Sequence, residues 1–177
     1  YLLQTAFAKV ITALSEDHAV VSLKHATTDT LSFSEVAYAF TKASQLSQYS
    51  YLKKDPKTFE LVSKEDVSEG INTAVIEATA INHARTLANT PSNLMNPLDI
   101  EKHARTLAEI DGVSIDVLGN KELKELGAGG ILGVNQGSDI EARLIVLKYE
   151  GAPGEPFTAL IGKGVTFDTG GYNLKPS

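Results

Sequence analysis

Cysteine is absent from this sequence of 177 residues, and so is any run of about 18 apolar residues. Without cysteine there can be no disulfide bond and no thiolate metal site, and the composition fits a reducing cytoplasm. Without a long apolar run we expect no transmembrane helix and no membrane association. The first residues, Tyr1 to Thr5, lack the basic region and cleavage pattern of a secretory signal. We therefore expect a cytoplasmic protein.

Concentrated positive charge is also lacking. The net charge is −6, and no cluster of five or more lysines and arginines occurs. Binding to nucleic acid requires such a cluster, because the phosphates must be neutralised, so the sequence argues against a nucleic-acid partner. Hydrophobic residues make up 42% and charged residues 21% of the chain, which is typical of a globular protein of one or two domains.

The first part of the chain alternates helix and strand patterns. Apolar spacing predicts a helix over Thr5 to Leu14, and the β-branched run from Ala19 to Leu23 predicts a short strand. Ser34 is the expected N-cap of a helix that runs to about Tyr49, and Leu61 with Val62 predicts a further strand. Residues 1–66 are therefore expected to form part of an α/β domain.

A long helix is predicted next, from Ser68 to about Leu87, within residues 67–88. Its apolar residues recur at intervals of three and four, which predicts one buried stripe of Ile71, Val75, Ala78 and Ile81. The segment from Asn89 to Pro97 contains two prolines and three asparagines and interrupts this pattern. We interpret it as the boundary before a second domain over residues 89–177.

The second half again alternates helices and strands. Asn96 is the expected N-cap of a helix, with Pro97 in its first turn and a body from Leu98 to Ile110. A short helix from Asn120 to Leu126 is expected to stop at Gly127. The predicted strands are Val113–Val117, Leu144–Tyr149 and Thr158–Ile161, the last apolar enough to be central. This alternation predicts a mostly parallel sheet that is covered on both faces.

Two glycine-rich segments do not fit nucleotide-binding motifs. In the first, from Gly127 to Ser138, Leu132 occupies a position where the dinucleotide motif requires glycine. A glycine-rich turn, either beside a ligand or within the packing, is the more modest interpretation. The second, Gly162-Lys163-Gly164, lacks the spacing of a phosphate-binding loop, since position 157 is phenylalanine. The four histidines have no paired spacing typical of a metal site.

The segment from Gly162 to Ser177 carries the charged residues Lys163, Asp168 and Lys175 among four glycines. It follows a predicted buried strand, so its polar residues are expected at the carboxyl end of that strand, where α/β sheets bind ligands. From the residues alone, a salt bridge between Lys163 and Asp168 within a glycine-rich hairpin is the alternative interpretation.

The run Gly-Lys-Gly-Val-Thr-Phe-Asp-Thr-Gly-Gly, followed at its family spacing by Lys175, resembles the signature of the leucyl aminopeptidase family. The members are cytosolic metallopeptidases that remove N-terminal amino acids. Asn89–Pro97 and Gly129–Ser138 resemble two further segments of the family, in the same order. The resemblance covers residues 89–177. Residues 1–88 agree only as the family's variable, macro-like N-terminal domain and its connecting helix.

This resemblance implies a site with two divalent metal ions, Zn²⁺ or Mn²⁺ first, with Mg²⁺ and Co²⁺ as alternatives. It implies that Lys163 ligates one ion, as a neutral amine, and that Asp168 bridges both. Lys175 is implied to remain cationic and to stabilise the oxyanion that forms when a metal-generated hydroxide attacks the peptide. Peptide substrates and a hexameric assembly are further implications.

The sequence departs from the family pattern after Ser177. In the family an aspartate, an Asp-x-Glu pair and an arginine follow, and none of them is in these 177 residues. Because each metal ion needs about four or more ligands, we expect these residues alone to bind metal weakly and to hydrolyse nothing. Two other classes stay open: a non-catalytic α/β module that binds a macro-type ligand or DNA, and a different metal-dependent amidase.

Overall fold

A computed structural model describes residues 1–52 and 55–167 of the chain. By its internal contacts the chain divides into two parts, which we call unit 1 (Tyr1–Asn89) and unit 2 (Thr90–Ser177). Both units combine helices with a two-stranded sheet, which confirms a mixed α/β fold. The finer division into residues 1–66, 67–88 and 89–177 stays a prediction. Across the described ranges, no helix has the length and apolar character that a bilayer crossing requires.

Unit 1 is a β-α-β arrangement with a helix at each end. Its elements are α1 (Leu2–Ala13), β1 (His18–Ser22), a 3₁₀ turn (Leu23–His25), α2 (Phe33–Ser47), β2 (Thr58–Val62) and α3 (Ser68–Asn89). The strands β1 and β2 are parallel, in register from His18 opposite Thr58 to Ser22 opposite Val62. Parallel strands require a crossover, and α2 with its flanking loops supplies it.

Helix α2 begins two residues earlier than the sequence predicts, because Ser32 and not Ser34 is its N-cap. The backbone N–H of Glu35 donates to Ser32 Oγ at 3.2 Å, and the Ser32 N–H donates to Glu35 Oε2 at 2.9 Å. This reciprocal pair requires a glutamate or glutamine three residues after the cap. Ser32 has one and Ser34 does not, so the prediction of Ser34 is wrong.

The core of unit 1 lies where α1 and α2 cover β1 and β2. One cluster of buried side chains consists of Leu23, Val36, Ala37 and Val67, and a second of Ile11, Phe40 and Ala43. Phe40 is at the centre of three aromatic rings. The Phe7 and Phe59 rings each lie edge-on to it, with centroids 5.2 Å away. Such edge contacts add about 0.5–1.5 kcal/mol to the burial of the rings themselves.

Helix α3 packs on α2 through small residues. Its buried residues are Gly70, Ala74 and Ala78, spaced by four along the helix. A side chain at Gly70 would bring Cβ to 2.3 Å from the carbonyl oxygen of Ser34, so the backbones of the two helices are in close approach. Val75 and Ile81 are exposed, so the predicted buried stripe is wrong at these two positions. The close approach favours the glycine and alanine row over the larger residues beside it.

Side chains from elsewhere in unit 1 satisfy the carboxyl ends of α1 and α2. Lys57 donates from Nζ to the carbonyl oxygens of Ile11 and Leu14, at the end of α1. Asn82 and Arg85 of α3 donate to the carbonyls of Gln45 and Leu46, each at 3.0 Å. Helix ends leave carbonyls without intrahelical partners, so these bonds connect the helices as well as cap them.

Unit 2 contains a two-stranded sheet of the opposite kind. Its elements are α4 (Pro97–Leu107), β3 (Val113–Leu118), α5 (Asn120–Glu125), α6 (Gly129–Val134) and β4 (Leu144–Tyr149). The strands β3 and β4 are antiparallel, from Val113 opposite Tyr149 to Leu118 opposite Leu144. The predicted parallel pairing is wrong for these strands. A six-residue helix spans about 9 Å, whereas six residues of strand span about 20 Å, so neither α5 nor α6 returns the chain to the start of β3.

Candidate metal-binding segment

The segment after β4 contains Lys163, the first of the predicted metal-binding residues. A turn follows the strand, with Gly154 at φ +86°, and residues 156–167 then have no regular secondary structure. Lys163 lies in this stretch and is exposed. A side chain added at Gly162 or at Gly164 would meet no atom of the described chain within 4 Å, so the backbone on both sides of Lys163 is open.

Of the predicted site residues, the structure places Lys163 alone. Asp168 and Lys175 lie outside the described residues. Their proximity to Lys163, and the roles assigned to all three, therefore stay predictions. In the described ranges, no group of three or more His, Cys, Asp or Glu side chains is arranged so that it could hold a metal ion.

The predicted central strand Thr158–Ile161 is not formed. Leu160 is 95% exposed and Ile161 is 97% exposed, and no strand of the described chain lies beside them. A strand is stable only when a neighbour satisfies its backbone N–H and C=O groups. In the described ranges no strand pairs with this segment and no side chains cover it, so the prediction of a central strand is wrong.

The segment from Asn89 to Pro97 has a structural function at both ends. At its start, Asn89 Nδ2 donates to the Tyr49 hydroxyl at 3.2 Å, at the last residue of α3. At its end, the N–H groups of Leu98 and Asp99 donate to Asn96 Oδ1, while Asp99 accepts from the Asn96 N–H. The predicted cap at Asn96 is confirmed. The prolines and asparagines of this segment thus end one helix and begin the next.

The glycine-rich segment from Gly127 to Ser138 forms a short helix and not an open turn. Gly127 stops α5 with φ +71°, as predicted, and α6 follows at Gly129–Val134. A shallow cavity of about 370 Å³ lies beside α6, with an uncharged lining apart from Lys124. Asn135, one of the lining residues, donates from Nδ2 to the Ile140 carbonyl at 2.9 Å.

A charge cluster connects α4 to the start of β4. Glu101 accepts from Arg105 at 2.6 Å and from Arg143 at 2.7 Å, and the side chains of Glu101 and Arg143 are each 17% exposed. These hydrogen bonds lower the pKa of Glu101 and raise the pKa of Arg143. Both shifts favour the charged form, and the groups use each other as partners, which indicates a structural role and not an acid–base one. No motif or spacing in the sequence predicts this cluster.

Comparison with known proteins connects unit 2 to a family of enzymes. The family model described as "Cytosol aminopeptidase family, catalytic domain" matches residues 82–177. This is more than half of the chain, and it begins within α3. The matched range contains Lys163, Asp168 and Lys175.

Curated relatives agree with this match. A probable cytosol aminopeptidase of Rickettsia canadensis is 36% identical over 146 residues, which is 78% of this chain and 29% of the relative. Proteins with the same description in Brucella suis and Bacillus subtilis are 44% and 39% identical over 68% and 74% of the chain. The chain spans 22–29% of the length of these relatives.

Solved structures share the fold. The bottromycin maturation enzyme BotP, in complex with Mn, is 28% identical with a TM-score of 0.81, over 99% of this chain and 38% of that one. A tomato leucine aminopeptidase mutant is 24% identical with a TM-score of 0.68, over 95% of this chain and 36% of that one. At 24% identity the second likeness shows the fold alone.

The shared fold and the matched segment place the chain in a class, that of the aminopeptidase families. Within this class, the chain belongs to the cytosol aminopeptidase family.

Proposed function

We propose that the natural protein carrying this sequence is a dinuclear-metal aminopeptidase that releases N-terminal amino acids, leucine among them, from peptides. One observation carries the proposal. The match to the family's catalytic domain includes Lys163, Asp168 and Lys175, whose spacing resembles that of the family's metal-binding segment. The identity of 36–44% to cytosol aminopeptidases of three bacteria supports it.

The proposed roles follow from the donor chemistry of the side chains. Lysine can ligate a metal ion only through a neutral amine, and the exposed Lys163, between two unobstructed glycines, is accessible for it. Asp168 offers two carboxylate oxygens and can contact two cations at once. Lys175 remains an ammonium group and stabilises negative charge that develops on the substrate carbonyl. Bound divalent ions would polarise that carbonyl and activate water.

An amine and a carboxylate suit several divalent ions, with Zn²⁺ and Mn²⁺ the first candidates and Mg²⁺ and Co²⁺ the alternatives. The manganese in the BotP structure supports Mn²⁺. We also propose that the natural protein is cytoplasmic and forms a homo-oligomer, a hexamer by family resemblance, which light scattering on the natural protein tests. The parallel β1–β2 pair with its α2 crossover supports a macro-like domain for unit 1.

Two variants of the natural protein test the roles of the lysines. Lys163→Gln is expected to lose metal, measured by elemental mass spectrometry, and with it the hydrolysis of a leucyl chromogenic substrate. Lys175→Gln is expected to keep its metal and lose turnover. Lys148→Gln, at an exposed lysine of β4, is the matched control and should change neither. Equal effects of the first two substitutions on metal content would contradict the separate roles.

Substrates with a free or blocked N-terminus test the reaction class. An aminopeptidase should cleave leucyl peptides and leave N-acetylated ones intact, whereas another amidase would accept the blocked form. For the 177 residues alone we propose weak metal binding and no hydrolysis, because one lysine and one aspartate do not supply the roughly four ligands that each ion needs. Calorimetry that detects two tight Zn²⁺ or Mn²⁺ ions in these residues would contradict this.

A further inference from the structure

The turn that joins α4 to β3 contains an unusual dipeptide for this chain. Asp111–Gly112 is the sole Asp-Gly pair in the sequence, which has no Asn-Gly pair. The Val113 N–H donates to the Ile110 carbonyl at 3.0 Å, and Gly112 has φ +79°. These features match a type II turn with glycine at its third position. Both Asp111 and Gly112 are exposed.

We propose that Asp111–Gly112 is a site of spontaneous aspartyl isomerisation. The backbone nitrogen of Gly112 attacks Cγ of Asp111, an N–Cγ bond forms, a Cγ–O bond breaks and one water leaves. The product is a five-membered succinimide. Water then adds to either ring carbonyl and breaks its bond to nitrogen, which gives isoaspartate or restores aspartate. The composition of the chain is unchanged, and no oxidant or other reactant is needed.

Three conditions favour this reaction, and Asp111 meets all of them: exposure, a following residue without a side chain, and a following N–H that is free to lose its proton. None of the hydrogen bonds within the described ranges uses the Gly112 N–H. Asp139 is also exposed, but its neighbour Ile140 is β-branched, and the Ile140 N–H donates to Ser138 Oγ at 3.1 Å. Asp139 is therefore an internal comparison for Asp111.

The turn itself slows the reaction. At the second position of a type II turn, ψ is near +120°, which holds the next nitrogen away from the side-chain carboxyl. Ring closure requires rotation about this bond, and the rotation breaks the hydrogen bond between Val113 and Ile110. The rate is therefore set by opening of a single exposed turn, which is a local and frequent event compared with unfolding.

Isomerisation changes the end of the β3–β4 pair. Isoaspartate directs the main chain through Cβ and adds one carbon between Cα of Asp111 and the nitrogen of Gly112. The Gly112 carbonyl accepts a hydrogen bond from the Glu150 N–H at 3.1 Å, next to the terminal pair of Val113 and Tyr149. A longer chain displaces this carbonyl, so we expect the Glu150 amide to lose protection.

The test is incubation of the whole chain for several weeks near neutral pH, with purified L-isoaspartyl methyltransferase as the probe and peptide mapping to locate the methylated site. Isoaspartate at position 111 is expected to accumulate severalfold faster than at position 139. Asp111→Glu should abolish the signal, since closure of a six-membered ring is far slower, and Asp139→Glu should leave it unchanged. Equal accumulation at both positions, or a full signal in Asp111→Glu, would overturn the proposal. If the Glu150 amide exchanged at the same rate in the isomerised and the unmodified fractions, the expected loss of its hydrogen bond to Gly112 would be wrong.

Discussion

Unit 1 and unit 2 are similar in length but differ in how they are held together. Unit 1 contains both hydrophobic clusters of the described chain, with Phe40, Ile11 and Leu23 each at most 3% exposed. Among the described residues of unit 2, the buried apolar ones are Met95, Ala104, Leu123 and Ala142, two of which are alanines. Burial of large side chains supplies most folding free energy, at about 1.5–3 kcal/mol each. Unit 1 therefore has the stronger core.

Unit 2 depends on local devices instead. They are the capping box at Asn96 and the charge cluster around Glu101. Each such device contributes about 1 kcal/mol, whereas a core residue contributes several times more. The comparison thus predicts that a single substitution in the core of unit 1 lowers the free energy of unfolding strongly, whereas a substitution in a local device of unit 2 lowers it only slightly.

The largest effect is expected from Phe40→Ala. The substitution removes the ring that both Phe7 and Phe59 contact and leaves a cavity, so we expect unit 1 to lose about 3–5 kcal/mol. Denaturant-dependent hydrogen exchange, resolved by peptide, measures the loss separately in each unit. Ile76→Ala, at a residue 70% exposed on α3, is the control and should cost less than about 0.5 kcal/mol. Equal losses of unfolding free energy for Phe40→Ala and Ile76→Ala would contradict the strong core assigned to unit 1.

A smaller but more specific effect is expected from Gly70→Ala. Its new Cβ would lie 2.3 Å from the Ser34 carbonyl oxygen, so α2 and α3 must separate, at a cost of about 1–3 kcal/mol. Gly133→Ala is the matched control in α6 of unit 2, where nothing lies within 4 Å of the added Cβ and a helical alanine should stabilise by about 0.5–1 kcal/mol. Unfolding free energies from urea titration of both variants should move in opposite directions. The same sign in both would contradict the helix approach described above.

Asn96→Ala tests the local devices of unit 2. The substitution removes the acceptor for the Leu98 and Asp99 N–H groups, at a cost of about 1 kcal/mol. Ser32→Ala removes the equivalent bond in unit 1. Because the core of unit 2 is smaller, the Asn96 variant should increase hydrogen exchange throughout unit 2, whereas the Ser32 variant should do so mainly in the first turn of α2. Asn96→Ser should restore protection, and failure to do so would argue against capping as the cause.

Local signals in the sequence were sufficient for most elements. The caps at Asn96 and Gly127 and the strands β1 to β4 are recognisable from residue type and spacing alone. The same signals did not indicate which elements pack against each other. The α3 face around Ala74 and the direction of β4 depend on which surfaces meet, and apolar periodicity does not contain that information.

The candidate site shows the same limit more sharply. The spacing of Lys163, Asp168 and Lys175 identified the family, which the comparisons then confirmed. Periodicity predicted a strand at Thr158–Ile161, but a strand also needs a neighbour, and the described residues supply none. Glu101 and Arg143 are 42 residues apart in the chain, so their pairing had no signal in the sequence.

The smallest effect is a difference in pH dependence between the units. Hydrogen bonds from Arg105 and Arg143 lower the pKa of Glu101 in unit 2, and those from Lys42 and Tyr38 lower the pKa of Glu77 in unit 1. A carboxyl whose pKa is lower in the folded state stabilises the fold at pH values above its unfolded pKa. This stabilisation is lost as the pH falls through the folded pKa. Both units should therefore weaken as the pH falls below the ordinary range of carboxyl groups.

The substitutions Glu101→Gln and Glu77→Gln separate the two contributions. The side chain of Glu101 is 17% exposed and that of Glu77 is 42% exposed, so solvent screens the ion pair of Glu101 less. Glu101→Gln should therefore reduce the acid-side dependence of the unfolding free energy on pH in unit 2. The reduction should be larger than the one that Glu77→Gln causes in unit 1. The slope is measured as the unfolding free energy of each unit against pH, with Glu109→Gln at an exposed position as the control. If the Glu101 variant kept the full slope, the charge cluster could not be what stabilises unit 2. Its weak core would then require a different source of stability.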